Sequence, residues 1–162
     1  MKITEDSLKA EIEAIYNNIP SQPPHTAEQI VIIKKGIEFY LVAFKYYDFD
    51  RLRPLLHPGY KQHSTLVGDG VESIFDAAKM LKGMAEKDWE GPGEPYIKME
   101  LKRALVDGPY LIMQQHGKRS TADPGSQVMD IFRHEGGKFV EHWECFMELP
   151  DESTLQHSNG IF

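Results

Sequence analysis

Apolar residues recur at helical spacing in the first half of the chain. The first predicted helix begins at Thr4, whose hydroxyl can cap it, and ends before the SQPP segment at 21–24. The second begins at the capping-box pattern TAEQ, at 26–29, and continues as far as Tyr47. Its apolar face consists of Ile30, Ile33, Ile37, Leu41 and Phe44.

Two prolines interrupt the next segment, RLRPLLHPGY at 51–60, and limit any helix there to about one turn. A third long helix is predicted to begin at Asp69 and Glu72, which form a second pattern of the capping-box type. Its apolar positions continue to Met84, and it ends by the GPGEP loop at 91–95. The sequence therefore predicts three main helices before the chain changes character.

Beyond this loop the apolar spacing falls to two, which is typical of a strand with one buried face. The apolar set is Ile97, Met99, Leu101 and Leu105. Asp107-Gly108 indicates a hairpin turn. If that turn has two residues, Gln114 lies opposite Leu101 and His116 lies opposite Met99. Gln114 and His116 are then predicted to face inward with the apolar set.

A second hairpin is predicted at the sequence VMDIFRHEGGKFVEHWE, residues 128–144, with its two glycines in the turn. Asp130 lies between apolar neighbours in the first strand. A two-residue turn pairs Asp130 with Trp143, whereas a three-residue turn with Gly137 in the left-handed conformation pairs it with His142. The second alternative is favoured.

Helices followed by long antiparallel strands predict an α+β fold, with a curved antiparallel sheet wrapped around about three helices. At 162 residues the chain is expected to form one domain, with a helical N-terminal extension at 1–25 and a C-terminal tail at 148–162. The helices cover only one sheet face. Leu111, Met113 and Gln115 are predicted on the other, where an apolar patch would support a homodimer through the sheet.

The charge balance, 25 acidic against 18 basic residues and a net charge of -7, argues against a nucleic-acid partner. The single cysteine excludes an intrachain disulfide, and the acidic N-terminal sequence does not have the form of a signal peptide. Apolar runs are too short to span a bilayer, so no membrane partner is expected. A cytoplasmic location is predicted.

Three segments, YKQHSTLVGDGVESI, VMDIFRHEGGKFVEHWE and the terminal SNGIF, resemble the SnoaL-like branch of the nuclear-transport-factor-2-like superfamily. The resemblance covers about residues 27–162. It implies a cone formed by a bent sheet around helices, with an internal pocket and often a dimer formed through the sheet. The fold hosts cyclases, isomerases, hydrolases and binding domains, so the fold alone does not name the reaction.

The resemblance to the polyketide cyclases of this branch implies catalytic roles for Asp130, Gln114 and His116. In those enzymes a pocket Asp is the acid/base of an aldol closure, and a Gln-x-His pair lies on a neighbouring strand. Independently, a buried carboxylate retains protons more readily than an exposed one, which suits a general base near neutral pH. An ordinary ion pair of Asp130 with Arg133 is the structural alternative. The chain departs from the branch at Glu144, where Asp is common after His-Trp.

Five further residues are candidate substrate contacts, namely Tyr60, Gln62, His63, His142 and Trp143. A polar network that closes the pocket mouth is equally compatible with His63, and packing is the more common role for Trp143. His142 and Glu144, with His116 and His63, could also bind zinc or iron, but their spacing is not diagnostic. No metal or cofactor is therefore predicted.

Two functions follow from these residues. The first is a cofactor-independent lyase, cyclase or isomerase that forms an enolate from a small hydrophobic carbonyl compound, with Asp130 as the base and hydrogen-bond donors stabilising the enolate oxygen. The alternative is a non-catalytic pocket that binds an apolar metabolite.

Overall fold

The computed structural model describes residues 3–20, 22–90, 95–120 and 122–162. The helices are α1 (Glu5–Asn17), α2 (Ala27–Tyr40), α3 (Phe49–Leu52) and α4 (Val71–Asp88), with a π-helical turn at Leu41–Lys45 directly after α2. The strands are β1 (Leu56–Gln62), β2 (Lys98–Asp107), β3 (Tyr110–Lys118), β4 (Ser126–Glu135) and β5 (Lys138–Glu148). The α+β class predicted from the sequence is confirmed.

The five strands form one sheet in the order β1-β5-β4-β3-β2. Neighbours from β5 to β2 are antiparallel, but β1 pairs in parallel with β5. The prediction of a purely antiparallel sheet is therefore wrong at this edge. Pro58 and Gly59 are residues that disfavour strands, so the sequence does not indicate β1. The ladder between β1 and β5 is irregular between Leu56 and Lys61, the segment that contains both residues.

The predicted starts of the first two helices are confirmed, because Thr4 caps α1 and both hydrogen bonds of the capping box at Thr26 are present. The third prediction is wrong in detail. Gly70 precedes α4 and no side chain caps this helix. The Asp69 carboxylate instead accepts a hydrogen bond from the backbone N–H of Gln62, 2.9 Å away. Asp69 thus fixes the end of β1 rather than the start of α4.

The turn between β2 and β3 differs from the prediction. Asp107 pairs with Tyr110, so the two turn residues are Gly108 and Pro109. A register shift at Lys102 then sets Leu101 opposite Gln115. The altered turn moves the pairing by two residues and therefore preserves the predicted faces. Because side chains alternate between sheet faces, the one-residue shift at Lys102 reverses the predicted orientation of β3.

The turn between β4 and β5 consists of Gly136 and Gly137, both with positive φ. Asp130 nevertheless pairs with neither Trp143 nor His142, the two alternatives predicted from the sequence. A bulge at Val140 shifts the register, and Asp130 pairs with Glu144. His142 nevertheless lies on the same sheet face as Asp130, two positions from Glu144.

The concave face of the sheet packs on α2. Leu111, Met113 and Gln115, which were predicted to lie on the outer face, are buried here. Gly36 of α2 allows this close contact, because a Cβ atom built on it would lie 2.6 Å from Leu111 Cδ2 and 2.7 Å from Met113 Sδ. Leu8 and Ile12 of α1 belong to the same core cluster.

The outer face carries an apolar row that crosses four strands. Its members are Leu105 on β2, Ile112 on β3, Ile131 on β4 and Trp143 on β5, and each is the direct cross-strand partner of the next. Along the described part of the chain, no helix has the length and apolar character needed to cross a membrane.

We expect Gly36→Ala to lower the free energy of unfolding by about 1–3 kcal/mol, because buried Leu111 and Met113 must move to admit the methyl group. Gly83→Ala is the matched control. Gly83 also lies in a helix, but a Cβ there meets nothing within 4 Å, so this variant should gain about 0.5–1 kcal/mol. Urea denaturation measures both, and equal stabilisation of the two variants would contradict the close packing of α2 on β3.

Candidate functional site

A polar cluster interrupts the apolar concave face of the sheet. Gln115, Asp130 and His142 are 1%, 1% and 6% exposed, and they lie on the neighbouring strands β3, β4 and β5. Burial of an ionised carboxylate is costly unless hydrogen-bond donors replace the lost water. The cluster therefore requires that donors be fixed around Asp130.

Two donors contact the two oxygens of Asp130. Gln115 Nε2 donates to Oδ2 over 2.8 Å, and His142 Nε2 lies 3.0 Å from Oδ1. The ring of Phe132 stacks on His142 with 4.4 Å between the ring centroids. Side chains from β3 and β5 thus hold Asp130, and stacking on Phe132 restricts the orientation of the His142 imidazole.

Gln62 determines that the Nδ1 atom of His142 carries a proton. The backbone N–H of Ser64 donates to Gln62 Oε1 over 3.0 Å, which fixes this atom as the amide oxygen. The same oxygen lies 2.9 Å from His142 Nδ1. Because a carbonyl oxygen only accepts, Nδ1 carries a proton. The hydrogen bond between His142 Nε2 and Asp130 therefore requires one further proton, on either partner.

Two tyrosines enclose the carboxylate. Burial raises the pKa of Tyr40 well above its ordinary value, and the charge of Asp130, to which its hydroxyl is hydrogen-bonded, adds to the effect. Burial also raises the pKa of Tyr60, with Asp130 and Glu144 as further causes. Both hydroxyls remain protonated near neutral pH. Among the described residues, the buried Tyr60 hydroxyl has no hydrogen-bond partner.

Glu144 is the second carboxylate of the cluster and lies directly opposite Asp130 in the ladder. The hydroxyl of Ser64 donates to it. Two nearby carboxylates repel each other when both are ionised, and a proton on His142 reduces that repulsion. Asp130, His142 and Glu144 therefore form one interacting group of two carboxylates and an imidazole.

The same three residues offer one ligand atom each within 4.8 Å of one another, a donor set that suits a transition metal. A metal bound through His142 Nε2 would replace the hydrogen bond to Asp130, because that nitrogen already faces Oδ1. The ring's other nitrogen is occupied by Gln62. The donors thus satisfy one another, and the absence of a metal stays a prediction.

A cavity of about 210 Å³ opens beside this cluster. Asp130, His142 and Glu144 line one wall, together with Gln62 and Tyr40. The opposite wall is mainly apolar and comes from α4 and its neighbours, including Val67, Ile74, Ala77, Leu81 and Met84. The site accordingly pairs two carboxylates and an imidazole with a surface suited to a hydrophobic compound.

The structure brings four of the predicted site residues together on the concave side, namely Tyr60, Gln62, Asp130 and His142. The predicted inward orientation of Gln114 and His116 is wrong, because of the one-residue register shift at Lys102. Gln114 bonds to Arg103 and Gln127 on the outer face. His116 Nε2 contacts the Pro124 carbonyl oxygen, and its ring meets Phe162 of the C-terminal tail.

His63 and Trp143 also lie away from the cavity. Their rings stack with 4.9 Å between centroids, and His63 Nε2 lies 2.9 Å from Glu141 Oε1. Trp143 therefore has a packing role, and His63 makes a polar contact outside the pocket.

The sequence-based analysis missed two residues of the site, Gln115 and Tyr40. Gln115 was assigned to the outer face with the rest of its strand. Tyr40 follows Ile33 and Ile37 at helical spacing, so its place on the buried face of α2 was readable from the sequence. Its contact with Asp130 depends on the sheet register and could not be predicted from the sequence.

No known protein-family profile matches the chain, and no curated protein matches its sequence. Solved structures do match. A candidate polyketide cyclase from Bacillus cereus shares 16% identity with a TM-score of 0.57, and the match covers 72% of this chain and 74% of that one. A candidate ketosteroid isomerase from Kribbella flavida shares 12% identity with a TM-score of 0.57, over 82% and 92% of the two chains.

A SnoaL-like protein of unknown function from Burkholderia thailandensis shares 12% identity with a TM-score of 0.55, over 76% of this chain and 99% of that one. At these identities the similarity concerns the fold. The helices, the curved sheet and these matches together show that this chain has the same fold as these proteins.

Proposed function

We propose that the protein is a cofactor-independent acid/base enzyme that forms an enolate from a small hydrophobic carbonyl compound. The observation that carries this proposal is the buried carboxylate of Asp130, which is held by Gln115 and His142 at the wall of an apolar cavity. Polyketide cyclases and ketosteroid isomerases are named among the structures of similar fold, and both names are compatible with such chemistry.

In the proposed reaction the carboxylate of Asp130 removes a proton from the carbon next to the substrate carbonyl. The electron pair of that C–H bond moves to the carbonyl oxygen, where a negative charge develops. Tyr40 lines the cavity with a protonated hydroxyl, and this donor turns from Asp130 to the carbonyl oxygen as Asp130 takes up the proton. The enolate carbon then either attacks a second carbonyl of the same molecule or regains the proton at another carbon, which completes a cyclisation or an isomerisation.

His142 and Gln115 act as positioning residues in this scheme. Gln115 orients one oxygen of Asp130 as a neutral donor, and His142, with the shared proton on Nε2, donates to the other, which keeps Asp130 ionised until it takes the substrate proton. A pocket that only binds an apolar metabolite would need neither the Gln115 contact nor the His142 contact to Asp130. Deuterium uptake next to the carbonyl therefore separates the two functions.

We expect Asp130→Asn to abolish proton abstraction because the amide keeps the shape of the carboxylate but not its basicity. The probe is methyl hexyl ketone in heavy water, with deuterium uptake next to the carbonyl followed by NMR. The wild-type protein should accelerate uptake over buffer, and the variant should be at least about 100-fold slower. Ketone affinity, measured separately, should change little.

Gln115→Leu and Gln114→Leu form a matched pair for this test. Loss of the inward Gln115 should slow uptake about tenfold, since a hydrogen bond to a charged group is removed, whereas loss of the outward Gln114 should have no effect. If the wild-type protein binds the ketone but never accelerates uptake, the acid/base proposal is contradicted and the binding function gains support.

We also propose that the protein is a homodimer paired through the outer face of its sheet. The residues that support this differ from those first predicted, because Leu111 and Met113 are buried inside. The support comes instead from the apolar row across four strands, in which Leu105 and Ile131 are 48% and 37% exposed. Self-association would remove this row from water.

We expect Ile131→Lys to convert the dimer into a folded monomer, because a charge at the centre of the row opposes its burial. Sedimentation at micromolar concentration measures the mass, and circular dichroism confirms the fold. Gln127→Lys is the control, since Gln127 lies on the same face of β4 but outside the row. A wild-type monomer would contradict the proposal, as would a dimer unaffected by Ile131→Lys.

A further inference from the structure

Two lysines face each other at the open end of the β2–β3 hairpin. Lys98 and Lys118 are direct cross-strand partners. Like charges in this position destabilise a sheet. In the part of the chain that the structure describes, neither lysine forms an ion pair, although the charge of Glu100, two residues along β2, interacts with Lys98. Such a pair is unexpected in a chain with a net charge of -7, and an anion bound between the two ammonium groups would relieve it.

Further donors converge on the same place. Lys98, Lys118 and Arg119 line a cavity of about 290 Å³ together with the rings of Trp89 and Tyr96. Trp89 Nε1 is buried and has no hydrogen-bond partner among the described residues. Among the described residues that line this cavity, Glu90 is the single carboxylate, against three cations. The described lining is therefore mainly cationic, and it includes the residue with the unpartnered N–H donor, a composition that suits an oxyanion.

This cationic cavity adjoins the candidate active site. Lys118 and Arg119 also line the cavity that contains Asp130. Asp123 orients Arg119, because its carboxylate accepts from both the backbone N–H and Nε of that residue, over 2.9 and 3.0 Å. Lys98 lines the cationic cavity but not the Asp130 cavity, which its strand neighbours Ile97 and Met99 line. One compound could thus place a charged end among the cations and an apolar end beside Asp130.

We propose that Lys98, Lys118 and Arg119 form a headgroup site for an oxyanion, a carboxylate or a phosphate monoester, at the mouth of the Asp130 cavity. The substrate is then an amphipathic anion whose apolar part carries the reacting carbonyl. This inference rests on the proposed function for the identity of the reaction, but the headgroup site itself is tested by binding alone.

The test compares three probes with the same chain length: octanoate, octyl phosphate and the neutral methyl hexyl ketone. Each competes with an uncharged fluorescent naphthylamine for the cavity. We expect the double variant Lys98→Met, Lys118→Met to weaken binding of at least one anion about tenfold, as two partly exposed charge contacts are lost. Ketone binding should stay within about twofold, which also shows that the variant is folded.

Lys61→Met removes the same charge from β1, at the opposite edge of the sheet, and should leave all three affinities unchanged. The anion that loses more affinity in the double variant identifies the headgroup class. Equal losses for anions and ketone, or no loss for either anion, would overturn the proposal. Asp130→Asn should preserve the preference for the anion while deuterium uptake is lost, so failure of the headgroup site and failure of the proposed reaction give different results.

Discussion

The hydrogen-bond chain from Gln62 through His142 and Asp130 to Gln115 is the constraint on which the site depends. Its members lie on β1, β5, β4 and β3, which are consecutive neighbours in the sheet. An ionised carboxylate in an apolar interior is costly by several kcal/mol without such donors. The four strands must therefore adopt one relative register, since a one-residue slip would turn a donor to the opposite face.

Two irregularities provide that register, and they mark the limit of what the sequence predicts. Apolar spacing, capping residues and glycine turns correctly indicated the main helices, the two hairpins and the α+β class. The register shift at Lys102 and the bulge at Val140 each insert one residue into a ladder. Neither has a glycine or proline to signal it, so Gln115 was assigned to the wrong face and the Asp130–Glu144 pairing was missed.

Asp130 and His142 were still identified, for reasons that did not depend on the register. A carboxylate between apolar neighbours is unusual in any strand, and the resemblance of the hairpin to the SnoaL-like branch indicated the same residue. The parallel strand β1 lacked such a signal, but Gln62 and Tyr60 alternate in it and reach the concave side together. Single unusual residues were thus easier to predict than the contacts between them.

Gln62 holds a proton on His142 Nδ1, so that a second proton, on Nε2, can hold Asp130 in its ionised and basic form. Nitrogen-15 NMR of the imidazole tests this most directly, since protonated and unprotonated ring nitrogens have well-separated shifts. We expect Nδ1 of His142 to be protonated at neutral pH and to lose this preference in Gln62→Leu. A neutral ring protonated only at Nε2 in the wild-type protein would contradict the account.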